Sequence, residues 1–439
     1  MNNINKKLNW IIDSFKNKDI IIILVSYQIQ QYRVNIQFQK KEFQPIVENK
    51  FYEIRQLLIN QRLDDKQISE IFQILNEILK KYNNRIILVI FSEYFFARKP
   101  LYEYETKKIM NLFYDLVAKN NNNEILYLMN FLYKISRTIK NEEKEELKIY
   151  LSRINAEAKL FDTNPSSSTK LIRDETNLWF TNESFMVYNT KVIFSQKKQS
   201  YSEELKLPKF NFLLGFGGKQ SKIKDSEPEY ILFQYLDSAI NIDICLDIQH
   251  KYSFNRKKFM NDNISFLDAK DQKIIEKKRK IFAKYNNGEN YNEKEFYIIQ
   301  SNTTNINNTL KLFPNKKIIM QIDPISSGII YTNYTDAFNS KINDIRNNLD
   351  EFFIQLENKN IFLLKNDKNI NKELQEREIS KVKHKTEEVY DLLIDQLYES
   401  NFYNIVELIR PEKTITKDII GNIKLEILIS DLKKNLIKK

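Results

Sequence analysis

Two short apolar runs constrain this chain more than any other feature: DIIIILVSYQIQ (Asp19–Gln30) and RIILVIF (Arg85–Phe91). Both are dense in β-branched residues over a strand's length, as expected of strands buried in a sheet. Between them Ile68, Ile71, Phe72, Leu75, Ile78 and Leu79 recur at helical spacing, and a Tyr-Asn-Asn break follows. Beyond the second run, YETKKIMNLFYDLVAK carries Ile109, Leu112, Phe113 and Leu116 at the same spacing, and EILYLMNFLYKI (Glu124–Ile135) reads as the next strand. Strand–helix alternation of this kind predicts an α/β sheet rather than a helical bundle or a β sandwich.

Residues 138–175 break that rhythm. A charged stretch, KNEEKEELK, leads to TNPSSSTK, a strong loop signal that marks a surface insertion. Two β-rich segments around Asn189-Thr190 then predict a hairpin over 183–196. EYILFQYL and INIDICLDI read as two further strands, 255–285 as basic and helical, and EFYIIQS and KIIMQIDPISSGIIY as the last strands of the core. From 339 to 439 the apolar residues fall at helical spacing with charge between them, which predicts a mainly helical C-terminal extension to a 1–338 domain.

Composition excludes several functions. The formal charge of +11 arises from 69 Lys and Arg interleaved with 58 Asp and Glu, without a basic block, which argues against a nucleic-acid partner. One cysteine rules out an intramolecular disulfide, and with only two histidines a Cys/His zinc site is not expected. The glycines of FNFLLGFGGKQSK form no phosphate-binding loop. The N-terminus lacks a signal-peptide pattern and the longest apolar runs fall short of a membrane span, so the expectation is a cytoplasmic protein, with export by another route left open.

Three residues stand out against this background. Glu93 directly follows an apolar strand, at the carboxyl end where α/β sheets collect their chemistry. Lys197 and Lys198 close the proposed hairpin. Cys245, the single cysteine, ends a short apolar strand; alone, such a residue is a small buried hydrophobe. Taken in order, VIFSEYFF, KVIFSQKKQSY and IDICLDI resemble the glutamate, lysine and cysteine motifs of the nitrilase superfamily of carbon–nitrogen hydrolases. The resemblance spans roughly residues 19–335, with Ser92 where the family usually has proline and with long intervals between the three motifs.

The resemblance implies a four-layer α-β-β-α sandwich, commonly paired as a homodimer, and a Glu93–Lys197–Cys245 triad that hydrolyses a small-molecule amide through a thioester, without metal or organic cofactor. Tyr201, four residues on, favours Lys197; Lys198 is the alternative lysine. The backbone N–H of Leu246 would be the second oxyanion donor. Glu203, Glu204 and Asp247 are candidate supporting carboxylates. A thiol with an ordinary pKa near 8.5 needs a base and a cation to react at neutral pH, which is what a Glu and a Lys supply. Two alternatives stay open: an N-acyltransferase using the same residues, and an inactive scaffold that binds a partner.

Overall fold

The computed structural model describes residues 2–29, 63–97, 100–120, 123–141, 143–144, 179–198, 211–213, 215, 219–245, 247, 265, 269–270, 272–273, 276, 294–301, 313, 315–324, 327–334, 336–367, 370–400, 406–420 and 423–437. The fold is mixed α/β, built on two sheets.

The apolar runs form the parallel centre of the larger sheet. β1 (Ile20–Ile29) pairs in parallel with β2 (Ile86–Phe91), and β2 with β4 (Glu124–Lys134); the two-residue β3 (Leu101–Tyr102) adds to β4. β5 (Trp179–Tyr188) then runs antiparallel to β4, and β6 (Lys191–Lys197) antiparallel to β5. The short β7 (Asn211–Phe212) and β8 (Gln220–Ser221) pair with β5 and β6. The smaller sheet has β9 (Ile240–Ile244), β10 (Phe296–Gln300) and β11 (Ile318–Ile322) in parallel, followed by antiparallel β12 (Gly328–Thr332) and β13 (Val406–Ile409). β14 (Lys413–Ile420) and β15 (Ile423–Asp431) complete the larger sheet on the far side of β1.

Strand parity divides the apolar side chains into separate cores. Ile20, Ile22 and Leu24 of β1, with Ile86, Leu88 and Ile90 of β2, pack against Ile242, Ile298 and Met320 of the smaller sheet. Their neighbours Ile21, Ile23, Ile87 and Val89 face the opposite way, onto helices Asp65–Leu79 and Glu103–Ala118. The first of these helices starts on a capping box between Asp64 and Gln67, which satisfies otherwise unpaired backbone donors. The outer face of the smaller sheet, with Tyr297, Ile299, Ile319 and Ile330, packs on Phe338 and Ile342 of helix Asp336–Asn366, with Tyr390 and Leu397 of helix Lys372–Ser400 alongside. No helix among the described residues is long and apolar enough to cross a membrane.

Most predicted elements form within a residue or two of their expected bounds. The hairpin between β5 and β6 turns at Asn189 (φ 44°) and Thr190 (φ 63°), the two left-handed positions a tight two-residue turn demands. One expectation fails and another holds only in part. EYILFQYL is part of helix Glu229–Ala239, not a strand: Leu232, Phe233 and Leu236 form one buried face, and Pro228 with Glu229 suits a helix start. The expected helical tail holds as far as Ser400, but Val406–Ile409, Lys413–Ile420 and Ile423–Asp431 are strands that join both sheets. Their apolar residues Leu425, Ile427 and Ile429 alternate at period two and pack against the outer core of β1. Most of 138–175 and of 255–285 lies outside the described residues.

Candidate functional site

The parallel strands of both sheets end at a buried polar cluster. At the end of β2 the Ser92 N–H still bonds the Val25 carbonyl (3.0 Å), after which the chain turns sharply through Tyr94 at φ 58°. A left-handed tyrosine is an outlier that costs of order 1–3 kcal/mol and needs its surroundings to hold it. Aromatic packing does so here: Phe95 stacks on Tyr27 with centroids 4.6 Å apart and meets Phe91 edge-on, and the Tyr27 hydroxyl donates to the Phe95 carbonyl (2.8 Å). Glu93 is thereby turned inward, 1% exposed.

Its partner is Lys198. Lys198 Nζ donates to Glu93 Oε1 at 2.8 Å, with both side chains buried, and lies 5.9 Å from the Tyr94 ring. The expectation favoured Lys197 beside Glu93, and the geometry differs. A bulge in β6 inserts Ile193 between the pairs Val187–Val192 and Met186–Phe194, and this sets the parity of the rest of the strand. Phe194 and Gln196 face the smaller sheet, where Gln196 Nε2 donates to the Ile242 carbonyl (2.6 Å), and Lys198 continues that face. Lys197 turns to the other side, paired across the strands with Glu183, and burial holds its ammonium below the ordinary lysine range. The turn lysine, Lys191, pairs with Glu227 and Glu229.

The strand end that carries Lys198 is gripped from two sides. Its N–H bonds the Asn182 carbonyl (2.8 Å), and its own carbonyl accepts from Gly215 N–H (3.0 Å). Gly215 lies so close that a Cβ there would sit 2.5 Å from Lys197 Cβ and 2.6 Å from its carbonyl oxygen, so only glycine fits.

Cys245 follows β9 directly. Its N–H extends the parallel ladder to the Gln300 carbonyl (2.8 Å), and its backbone then turns left-handed at φ 53°. The residue is partly exposed, unlike Glu93 and Lys198, and Asp247 two positions later is buried in a helical turn. A strained strand-to-helix turn that presents a side chain at a sheet's edge is the geometry nucleophiles use.

Asparagines and a glutamine that the sequence reading passed over connect these parts. Gln300 Nε2 donates to the Phe91 carbonyl (2.7 Å), and its Oε1 accepts from Ser184 Oγ (2.5 Å). Asn130 Nδ2 reaches Ser184 Oγ (3.2 Å) and Asn182 Oδ1 (2.7 Å), and Asn182 Nδ2 donates to Glu93 Oε1 (2.9 Å). A hydrogen-bonded path thus runs from the backbone of Cys245, across the two sheets, to the carboxylate. The available signal was polar residues inside strands: Asn130 interrupts an apolar run, and Thr181–Ser184 places four polar residues within β5, all buried. Asp323 accepts from Ser301 Oγ (2.7 Å) as a satisfied structural carboxylate. Leu246, Glu203 and Glu204 lie outside the described residues, as do Tyr201 and His250. Among the described residues no group of three or more His, Cys, Asp or Glu side chains is placed to hold a metal ion.

No family model matches the sequence, and no curated protein matches it. Among solved structures, the chain is similar to the crystal structure of Saccharomyces cerevisiae Nit3, a member of branch 10 of the nitrilase superfamily. The match has 10% identity, covers 70% of this chain and 75% of that one, and has a TM-score of 0.30, a likeness too slight to bear on the chemistry.

Proposed function

We propose that this chain is an amidase-type carbon–nitrogen hydrolase on a four-layer α-β-β-α sandwich, with Cys245 as nucleophile, Glu93 as proton shuttle and Lys198 as the fixed cation. The observation that carries this reading is the buried Lys198–Glu93 pair at the strand ends. Desolvating two charges costs several kcal/mol per ion, and a hydrophobic pair would often serve stability as well. The pair therefore asks for a chemical reason, and a strained, partly exposed cysteine tied to the same network supplies one. The order of the three motifs supports the same reading independently.

In this mechanism Glu93 takes the thiol proton as Cys245 Sγ bonds to the amide carbonyl carbon. Lys198 stays protonated and stabilises the negative charge on the carbonyl oxygen. Glu93 returns the proton to the nitrogen, the C–N bond breaks, and ammonia or an amine leaves a thioester. Glu93 then deprotonates a water that attacks the thioester, the C–S bond breaks to release the acid, and Glu93 returns the proton to Cys245 Sγ.

The test is a panel of small aliphatic, aromatic and peptide-like amides, assayed for released ammonia or amine, with intact mass of the protein during turnover. An acyl adduct that disappears in Cys245→Ser, with turnover lost in Glu93→Gln and Lys198→Met, is the expected result. Full turnover in Cys245→Ser would sink the mechanism. A product carrying an added amine in place of water would make the chain an acyltransferase.

A further inference from the structure

Asn182 touches both members of the buried pair. Its side-chain Nδ2 donates to Glu93 Oε1 (2.9 Å), while its backbone carbonyl accepts the Lys198 N–H (2.8 Å). The direction of that side-chain bond is fixed from a distance. Tyr94 N–H, a backbone donor that cannot reverse, bonds Asn130 Oδ1 (3.2 Å). The Asn130 amide must then offer its NH₂, and Nδ2 bonds Asn182 Oδ1 (2.7 Å). Asn182 in turn presents its own NH₂ to Glu93 Oε1 and to the Tyr94 hydroxyl (3.2 Å). Both side-chain amides are buried, so solvent does not blur this orientation.

We infer that Asn182 is a positioning residue for the proposed hydrolysis: the one-way amide chain holds Glu93 Oε1 as an ionised acceptor. This rests on the reading of Glu93, Lys198 and Cys245 as the reacting groups. The physical reason is that Oε1 already receives two N–H donors, from Asn182 and Lys198, and a proton arriving there would displace one of them. Donors aimed at a carboxylate favour its charged form. A donor removed from this site leaves negative charge there less stabilised, and a carboxylate put in its place repels it. Among the described residues, the ionisable groups at the site are Glu93, Lys198, Tyr94 and Cys245, with Asp247 buried two positions beyond the cysteine.

The experiment is the pH dependence of Cys245 alkylation by iodoacetamide, read by intact mass, on the full chain. It needs no substrate. Wild type and Lys198→Ala test the underlying reading, and Asn182→Asp and Asn182→Ala test the inference, with Asn182→Ala serving if the aspartate variant does not fold. The expected result is a wild-type profile below that of a free thiol, moved up in Lys198→Ala. The profile should rise at least one pH unit in Asn182→Asp and by a smaller step in the same direction in Asn182→Ala. If wild type titrates as a free thiol and Lys198→Ala matches it, the catalytic reading fails and the inference with it. If those two behave as expected while folded Asn182 variants superimpose on wild type, only the positioning role is overturned.

Discussion

Gln300 Nε2 donates to the Phe91 carbonyl at 2.7 Å, joining the strand beside Cys245 to the strand that leads into Glu93. With the Ser184 Oγ contact and the Cys245 N–H on its carbonyl, this residue ties the two sheets together where they carry the candidate groups, alongside the Gln196 bond to the Ile242 carbonyl. Gln300→Leu keeps the volume but leaves the Phe91 carbonyl without this donor in a buried site. A buried polar group stripped of its partner costs about 1–3 kcal/mol. The expected outcome is a loss of that size in urea unfolding, together with slower Cys245 alkylation at neutral pH. Wild-type alkylation in a destabilised Gln300→Leu would mean the glutamine holds the fold and not the site.

The two adjacent lysines make a sharper comparison. Lys198→Ala leaves Glu93 buried beside an empty cation position, and breaking a buried pair in this way typically costs roughly 3–5 kcal/mol. Lys197→Ala removes a half-buried ammonium that burial already disfavours, so its effect on stability is small. Denaturant midpoints of the two variants, measured side by side, separate these roles. Equal losses would contradict the facing derived from the β6 bulge.

The lysine pair also marks where the sequence stops being legible. The parallel strands, two of the flanking helices and the β5–β6 hairpin are local patterns of period and turn chemistry, and they read directly. Which of two neighbouring lysines faces inward depends on one inserted residue, Ile193, and a bulge has no signature in VIFSQKK. Helix Glu229–Ala239 reads as a strand because a short run of large apolar residues suits either period, and the buried face decides it only after folding. Asn182 and Gln300 escape a sequence reading for another reason. Each lies in a different strand from the residue it serves, so its role exists only once strands assemble: within the larger sheet for Asn182, and between the two sheets for Gln300.

On the outer face of the larger sheet, Tyr133 of β4 donates to Glu183 Oε2 of β5 (2.6 Å). Burial first, and the Glu183 charge second, push its phenol well above the ordinary value of 10.0. The folded chain therefore keeps a proton that the unfolded chain releases above pH 10. The stability from this group is complete below that pH and is lost as pH rises toward the folded value. Tyr133→Phe removes the titration, so the fall in unfolding free energy from pH 9 to pH 11 should be shallower than in wild type. Parallel curves would show that the phenol does not contribute to the alkaline limb.

The strands of the C-terminal tail belong to the body of the fold. β15 pairs with β1 from Ile21↔Asp431 to Ile29↔Ile423, and Arg85 bridges Asp19 and Asp431 at 3.0 and 3.1 Å, pinning the end of β15 beside the starts of β1 and β2. Removing residues 406–439 strips Leu425, Ile427 and Ile429 from the outer core and leaves β1 and β12 as open edges. Long apolar edges of that kind pair with other chains. The truncated chain should be recovered as aggregate, or as a soluble species without a cooperative thermal transition. A dispensable extension would instead leave a soluble 1–405 fragment with wild-type unfolding and wild-type Cys245 alkylation. The β1 pairing argues against that outcome, because β1 carries the Val25 carbonyl that fixes Ser92 and, through it, the turn that holds Glu93.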